Sequence, residues 1–500
     1  MHPTGGSLRV FKQFVWLEAG SAKMASPRPT HQRVTPAVGQ WIYSTGVFWL
    51  RDDMHLNSWK NALVVLIVIV LGVACGTNPP APTPTSRVSV ASDGTRGNDY
   101  SDGPSISADG RYVAFNSYAT NLVRGDTNGG LDVFIRDIQT GTTTFVSVAS
   151  DGTQGDDYSG GPSISADGRY VAFDSHADNL VSGDTNQTND VFVRDMQTGA
   201  TMLVSVTSDG THGNDWSGSA SISADGSYVA FDSDASNLVS SDTNSEGDIF
   251  VYDMQTGTMT LVSVASDGTQ GNSGSAHPSI SADGRYVAFD SDASNLVSDD
   301  TNSALDVFVR DMQSGITMRV SVVSDGMQGD TRSNAASISA DGHYVAFQSG
   351  IIKWVNVDTL FPSEVWEPDI FVRDMQSGVT TLVSVASDGT RGNGISGLPS
   401  ITADGRYVAF GSKADNLVSG DANRADDIFV YDMQTRTTML VSVAWDETQG
   451  NENSRAPSIS ADGRYVAFHS FASNLVRGDT NGEADIFLRV LGASIPILGG

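Results

Sequence analysis

Residues 162–175 read PSISADGRYVAFDS, and this string returns with few changes six more times along the 500-residue chain. Its turn aspartate falls at Asp109, Asp167, Asp225, Asp283, Asp341, Asp404 and Asp462, a step of 58 residues broken once by a step of 63. Tyr170, Ala172 and Asp174 alternate with Val171, Phe173 and Ser175, and this period of two in β-branched and aromatic residues predicts strands. Asp167-Gly168 supplies the positive φ that a tight hairpin needs. Downstream, DVFVRDM (190–196) and TMLVSV (201–206) flank Gln197-Thr198-Gly199, a second hairpin signal. Each repeat therefore reads as a four-stranded antiparallel meander. No run of 3.6 periodicity occurs between Ser86 and Val490, so the domain is expected to be all-β.

Seven four-stranded units suit a seven-bladed β-propeller better than a coiled solenoid. The ends of the repeat array support a closed ring. RVSVASDG at 87–94 copies the end of a unit without the rest of it, and the last unit stops after DIFLRV at 485–490. Strand Val88–Ala91 is thus expected to complete the last blade and remove an open sheet edge.

The order PSISADGRYVAF…DVFVRDMQTG resembles the TolB-like, WD-like propeller repeat over about 400 residues. That resemblance implies a propeller and leaves function open. Two departures stand out: Ala108, Ala166 and their equivalents replace the family's turn proline, and the separate N-terminal α/β domain of TolB has no counterpart. A role in the envelope Tol system is not implied.

Upstream, Met54, Lys60 and the apolar run 62–74 end at Cys75, the only cysteine. Thirteen apolar residues are short for a bilayer span and suit an export signal. The arrangement resembles a bacterial lipoprotein signal with Cys75 as the lipidation site, although Gly72 stands where that pattern prefers Leu. Simple secretory cleavage and an uncleaved anchor are the alternatives. The expected organisation is a non-native or disordered extension (1–53), a signal (54–75), a Pro/Thr-rich linker (76–86), the propeller (87–490) and a tail (491–500). The protein is expected at the cell envelope as a monomer, on the membrane through its lipid.

Residues 87–500 carry 22 basic against 55 acidic groups, a formal charge of −33. Such a surface is a poor partner for nucleic acid, which needs clustered Lys and Arg. Basic surfaces and cations suit it better, although high charge also simply maintains solubility.

Strand parity puts the Ala-Asp-Gly and Gln-Thr-Gly turns on one face and the long loops on the other, where function is expected. Six long loops carry an Asp/Asn/Asp trio: Asp126, Asn128 and Asp132; Asp184, Asn186 and Asp190; Asp242, Asn244 and Asp248; Asp300, Asn302 and Asp306; Asp421, Asn423 and Asp427; Asp479, Asn481 and Asp485. Such oxygens could ligate calcium, or could cap their own turns. The fifth unit has lost the trio and gained five residues, placing Ile351, Ile352, Trp354, Leu360, Phe361 and Trp366 there. That patch could anchor an envelope or extracellular protein or glycan, or fold back onto neighbouring blades.

Catalytic motifs such as G-x-S-x-G and H-E-x-x-H are absent, and His176, His212, His277, His343 and His469 fall at unrelated repeat positions. The third-strand aspartates Asp137, Asp195, Asp253, Asp311, Asp374 and Asp432 are expected to accept from the backbone of the following turn. The function expected is non-catalytic binding or scaffolding at the envelope, possible calcium support included. The alternative is a propeller hydrolase or lyase at the axis, built from unique residues such as Arg332, Lys413, Glu447 and Arg455.

Overall fold

The computed structural model describes residues 85–329, 331–355 and 363–491, with side chains between 351 and 366 outside the description. The expected extension, signal, Cys75, most of the linker, Leu360, Phe361 and residues 492–500 lie outside the described residues. Within them, strands β1 to β28 form seven antiparallel four-stranded sheets and there is no helix. Blade 1 holds β2 (Ser101–Ile106), β3 (Tyr112–Ser117), β4 (Asp132–Asp137) and β5 (Thr142–Phe145), and later blades repeat this order. The protein is a seven-bladed β-propeller.

Adjacent blades share the core. Ala114, Val133, Ile135 and Val146 of blade 1 pack on Ile164, Val171, Phe173 and Phe192 of blade 2, and each seam repeats the theme. Within every blade a second-strand Phe stacks on a third-strand Phe, as Phe115 does on Phe134 at 5.9 Å. First strands form the innermost layer and are stitched in a full circle. The Ile amide of each donates to a serine Oγ of the preceding blade, from Ile164 to Ser105 (3.2 Å) round to Ile106 to Ser458 (3.2 Å).

The ring closes, but not with the expected residues. The closing strand is β1, Thr85–Arg87, paired antiparallel with β28 (Asp485–Val490) so that Arg87 lies opposite Phe487. Thr85 and Ser86, assigned to the linker from sequence, therefore belong to the domain. Val88–Ala91 is instead the exit segment. Its Val-Ser-Val alternation imitates a strand, yet Ser89 Oγ donates to Asp485 Oδ1 (2.6 Å), and the Val90 amide donates to the Val88 carbonyl, bending the chain away.

Both short turns lie on one face, as parity required. There, each third-strand aspartate accepts the expected amides: Asp137 Oδ1 takes Gln139 N (2.9 Å) and Thr140 N (3.2 Å), and the other five do likewise. In four blades an arginine that sequence reading did not pair clamps the same carboxylate, as Arg169 does Asp195 (2.8 Å).

Candidate functional site

The six trios sit at the long-loop ends of the third strands, with most of their carboxylates already engaged, although Asp184 Oδ1 in blade 2 is buried without a hydrogen-bond partner. Gln154 Nε2 donates to both Asp126 Oδ1 (2.9 Å) and Asp132 Oδ2 (2.8 Å), while Ser147 Oγ donates to Asp132 Oδ1 (2.7 Å). Gln270, Gln328 and Gln449 repeat the bridge in blades 3, 4 and 6. In blade 7 the Arg87 guanidinium lies 2.9 Å from Asp479 and 3.3 Å from Asp485, and in blade 2 His212 lies 3.8 Å from Asp184. In five of the six loops a nitrogen of the chain thus stands where a bridging cation would stand, while in blade 2 Asn186 Nδ2 donates to Asp190 and nothing among the described residues bridges it to Asp184. The donors present fit an amide or guanidinium rather than calcium. Among the described residues no group of three or more His, Cys, Asp or Glu is placed to hold a metal. Burial pushes Asp132, Asp190, Asp248 and Asp427 up to about 6.

The fifth-blade insertion lengthens the central hairpin. β19 (Tyr344–Val355) and β20 (Ser363–Asp374) stay paired through Ile351 opposite Glu367, Ile352 opposite Trp366 and Trp354 opposite Glu364. Ile352, Trp366 and Trp354 therefore share one face of a ribbon that continues past Ser349 on the long-loop side.

The strongest local asymmetry lies elsewhere, at the mouth of the axis on the long-loop face. Near-identical repeats differ most at positions that the fold gathers there. The residue before each first strand runs Tyr100, Tyr158, Trp216, Gly274, Arg332, Ile395, Asn453 around the ring. The fifth residue of each second strand runs Asn116, Asp174, Asp232, Asp290, Gln348, Gly411, His469, and the seventh position counted from the start of that strand runs Tyr118, His176, Asp234, Asp292, Gly350, Lys413, Phe471. The signal that finds this site is position-by-position divergence between repeats, which becomes spatial only when the ring closes.

Backbone geometry marks the same layer. Every first strand carries a bulge whose third residue has a left-handed φ, from 49° to 56°, and in five blades it is not glycine: Ser219, His277, Ala335, Leu398 and Ala456. The freed amides meet the divergent side chains. Ala335 N donates to Asp290 Oδ2 (3.1 Å) and Leu398 N to Gln348 Oε1 (3.2 Å), bracing one blade against the next. Among the described residues, six of the twelve buried side-chain polar atoms without a hydrogen-bond partner belong to this layer: those of Asn116, Asn189, Asp232, Asp290, Asp426 and His469.

The mouth is electrostatically uneven. Burial raises Asp232 to about 6 and holds Asp290 above the usual carboxylate range, while His277, bonded to Asp290 Oδ2 (3.2 Å), is raised by that bond. Burial and the neighbouring Asp102 push Tyr100 up to about 12. Arg455 Nε donates to Asp426 Oδ2 (2.6 Å), and Lys413 Nζ lies 3.9 Å from Asp426 Oδ1. A cavity of about 290 Å³ opens beside them, walled also by Gln348, Ile395 and Leu398. Lys413 and Arg455 thus meet near the axis. Glu447 does not join them, because its carboxylate is bonded to Arg489 (2.6 and 2.8 Å) at the outer edge of blade 7. Clefts of about 400 to 500 Å³ on the opposite face recur between blades and reuse one set of residues, as Tyr228, Asp253 and Arg285 do, so no copy is distinguished.

Fold and site together define a closed seven-bladed propeller with one asymmetric axial mouth. No family model matches the chain, and no curated protein is similar enough to count as a relative. Similar solved structures include TolB from Acinetobacter baumannii, 15% identical over 66% of this chain with a TM-score of 0.37, and the chain spans 62% of that protein's length. An oligogalacturonate lyase in complex with manganese is 14% identical, with 82% of this chain and 93% of that one covered and a TM-score of 0.46. An acylaminoacyl peptidase is 12% identical, with 78% and 51% covered and a TM-score of 0.47. At these identities the likeness is one of fold.

Proposed function

We propose that the protein is a non-catalytic binding propeller of the cell envelope, exported and lipid-anchored through Cys75, which holds an extracellular protein or glycan at the axial mouth of its long-loop face. One observation carries the reading. Blades that share strands, turns and core diverge at the mouth, where identical side chains would serve the fold equally well. Exposure agrees: five of the twelve exposed large apolar side chains among the described residues are Tyr118, Tyr158, Ile395, Leu398 and Phe471, all at this mouth. The lengthened fifth-blade hairpin rises from the same face and adds a second contact surface for a large partner.

Affinity capture from envelope and extracellular material tests the reading, with Tyr158→Ala, Arg455→Gln and a short-turn-face control, Arg285→Gln. Mouth variants should lose the captured ligand and the control should keep it; equal capture by all three refutes the site. A second reading, a hydrolase or lyase at the same mouth, draws on the bonded His277–Asp290 pair beside the axis. It requires turnover of a captured ligand that His277→Ala abolishes.

A further inference from the structure

Three kinds of side chain are segregated around the mouth. Phe471, Tyr100, Tyr118, Tyr158 and Trp216 form an aromatic arc over blades 7, 1, 2 and 3, and Tyr118, Tyr158 and Phe471 are 40–44% exposed. Acids are densest in blades 3 and 4, where Asp234 and Asp292 are exposed with buried Asp232 and Asp290 beside them, while Asp174 in blade 2 and Asp102 in blade 1 are inside the aromatic arc. Asp234 is raised by its partial burial and by the charges of Asp215 and Glu246, and His277, bonded to Asp290, is the cation at hand in the same arc. In a ring of seven, blade 3 lies across the axis from blades 6 and 7. There Lys413 and Arg455 both reach Asp426 beside the cavity, two cations on one carboxylate.

Each arc selects a chemistry. Exposed tyrosine and tryptophan faces stack on the weakly polar C–H faces of sugar rings, and planar Asp, Asn, Gln and Arg groups pair with hydroxyls in the ring plane. An apolar peptide would want more aliphatic wall than Ile395 and Leu398 supply. A lone metal ion has no cluster of ligands among the described residues. A purely anionic chain would meet the acid arc, and a purely cationic chain would meet Lys413 and Arg455. On the reading of the mouth as a binding site, we propose that it takes an amphoteric glycan, a saccharide bearing both carboxylate and ammonium groups. Its carboxylate enters the blade 5–7 cavity against Arg455 and Lys413, its ammonium faces Asp234 and Asp292, and its sugar rings lie on Tyr158 and the neighbouring aromatics.

Calorimetric titration of the full-length protein with three probes decides it: hyaluronan oligosaccharides, chitosan oligosaccharides, and hyaluronan oligosaccharides from which the acetyl groups have been removed. The third probe, which alone carries both charges, should bind at least about tenfold more tightly than either of the others. Asp234→Asn should erase its advantage over hyaluronan, and Arg455→Gln or Lys413→Gln its advantage over chitosan. Unchanged melting temperatures show that the variants fold. Equal affinity for all three probes, or the absence of binding, overturns the glycan assignment. If a captured protein partner is then lost in the same mouth variants, only the glycan assignment has failed; if capture is indifferent to them, the mouth itself was misassigned.

Discussion

Ala335 shows what the mouth costs at the scale of one residue. Its φ of 55° puts a Cβ in the left-handed region, which costs roughly 1–2 kcal/mol for a residue other than glycine. Ala335→Gly is expected to raise unfolding free energy by about 1 kcal/mol in denaturant titration, because glycine removes that strain while the bond from its amide to Asp290 persists. The opposite outcome is expected at the turn alanines. Ala166 N donates to Ala224 O (2.9 Å), and five other turn alanines do the same toward the next blade, so a proline there would delete an inter-blade bond. That is a physical reason why alanine stands here where the TolB-like repeat that the sequence resembles has a turn proline. Ala166→Pro should cost about 1–2 kcal/mol in the same titration. The third-strand aspartates were legible residue by residue, since acceptor and turn amides lie two or three positions apart. Their arginine clamps were not: Arg169 reaches Asp195 across 26 positions, and only strand pairing brings them together.

At the scale of the element, β1 carries the closure of the ring. It is three residues long, yet Arg87 within it is buried and holds two buried carboxylates, Asp479 and Asp485. Arg87→Ala leaves both without their cation, a loss of about 3–5 kcal/mol at neutral pH. The defect should shrink as the medium is acidified, because burial already holds Asp485 above the usual carboxylate range and a proton can replace the guanidinium. Thermal melts at neutral and mildly acidic pH check both parts; a pH-independent loss would contradict the argument. Sequence reading found this element but placed it three residues late. Apolar alternation in Val88-Ser89-Val90 satisfies a strand pattern equally well, and what decides is that Ser89 spends its side chain on the sheet while the backbone turns out.

For the whole molecule, two conditions separate the forces that hold the ring. With Gln154 and its equivalents between the loop carboxylates, millimolar calcium and chelator should leave the melting temperature unchanged; a rise with calcium would restore the ion-binding reading of the trios. Acid should act on stability. Asp132, Asp190, Asp232, Asp248 and Asp427 are raised to about 6, so the folded protein binds these protons more tightly than the unfolded chain. The resulting stabilisation is full below the ordinary carboxylate pKa and is lost as pH rises through about 6. Asp195, lowered to about 2 by Arg169, runs the other way and loses its contribution only in stronger acid. The melting temperature should therefore climb by a few degrees between about pH 7.5 and pH 5 and fall again at lower pH. Blade count, strand order, the two faces and the fact of closure were decided by the sequence alone, because each rests on a pattern repeated within about 58 positions. The axial mouth was decided only by tertiary structure. Its members are drawn from all seven repeats, Arg332, Lys413 and Arg455 from three different ones, and no local period relates them. They become neighbours because seven first strands close around one axis, and closure is a property of the ring that no single repeat contains.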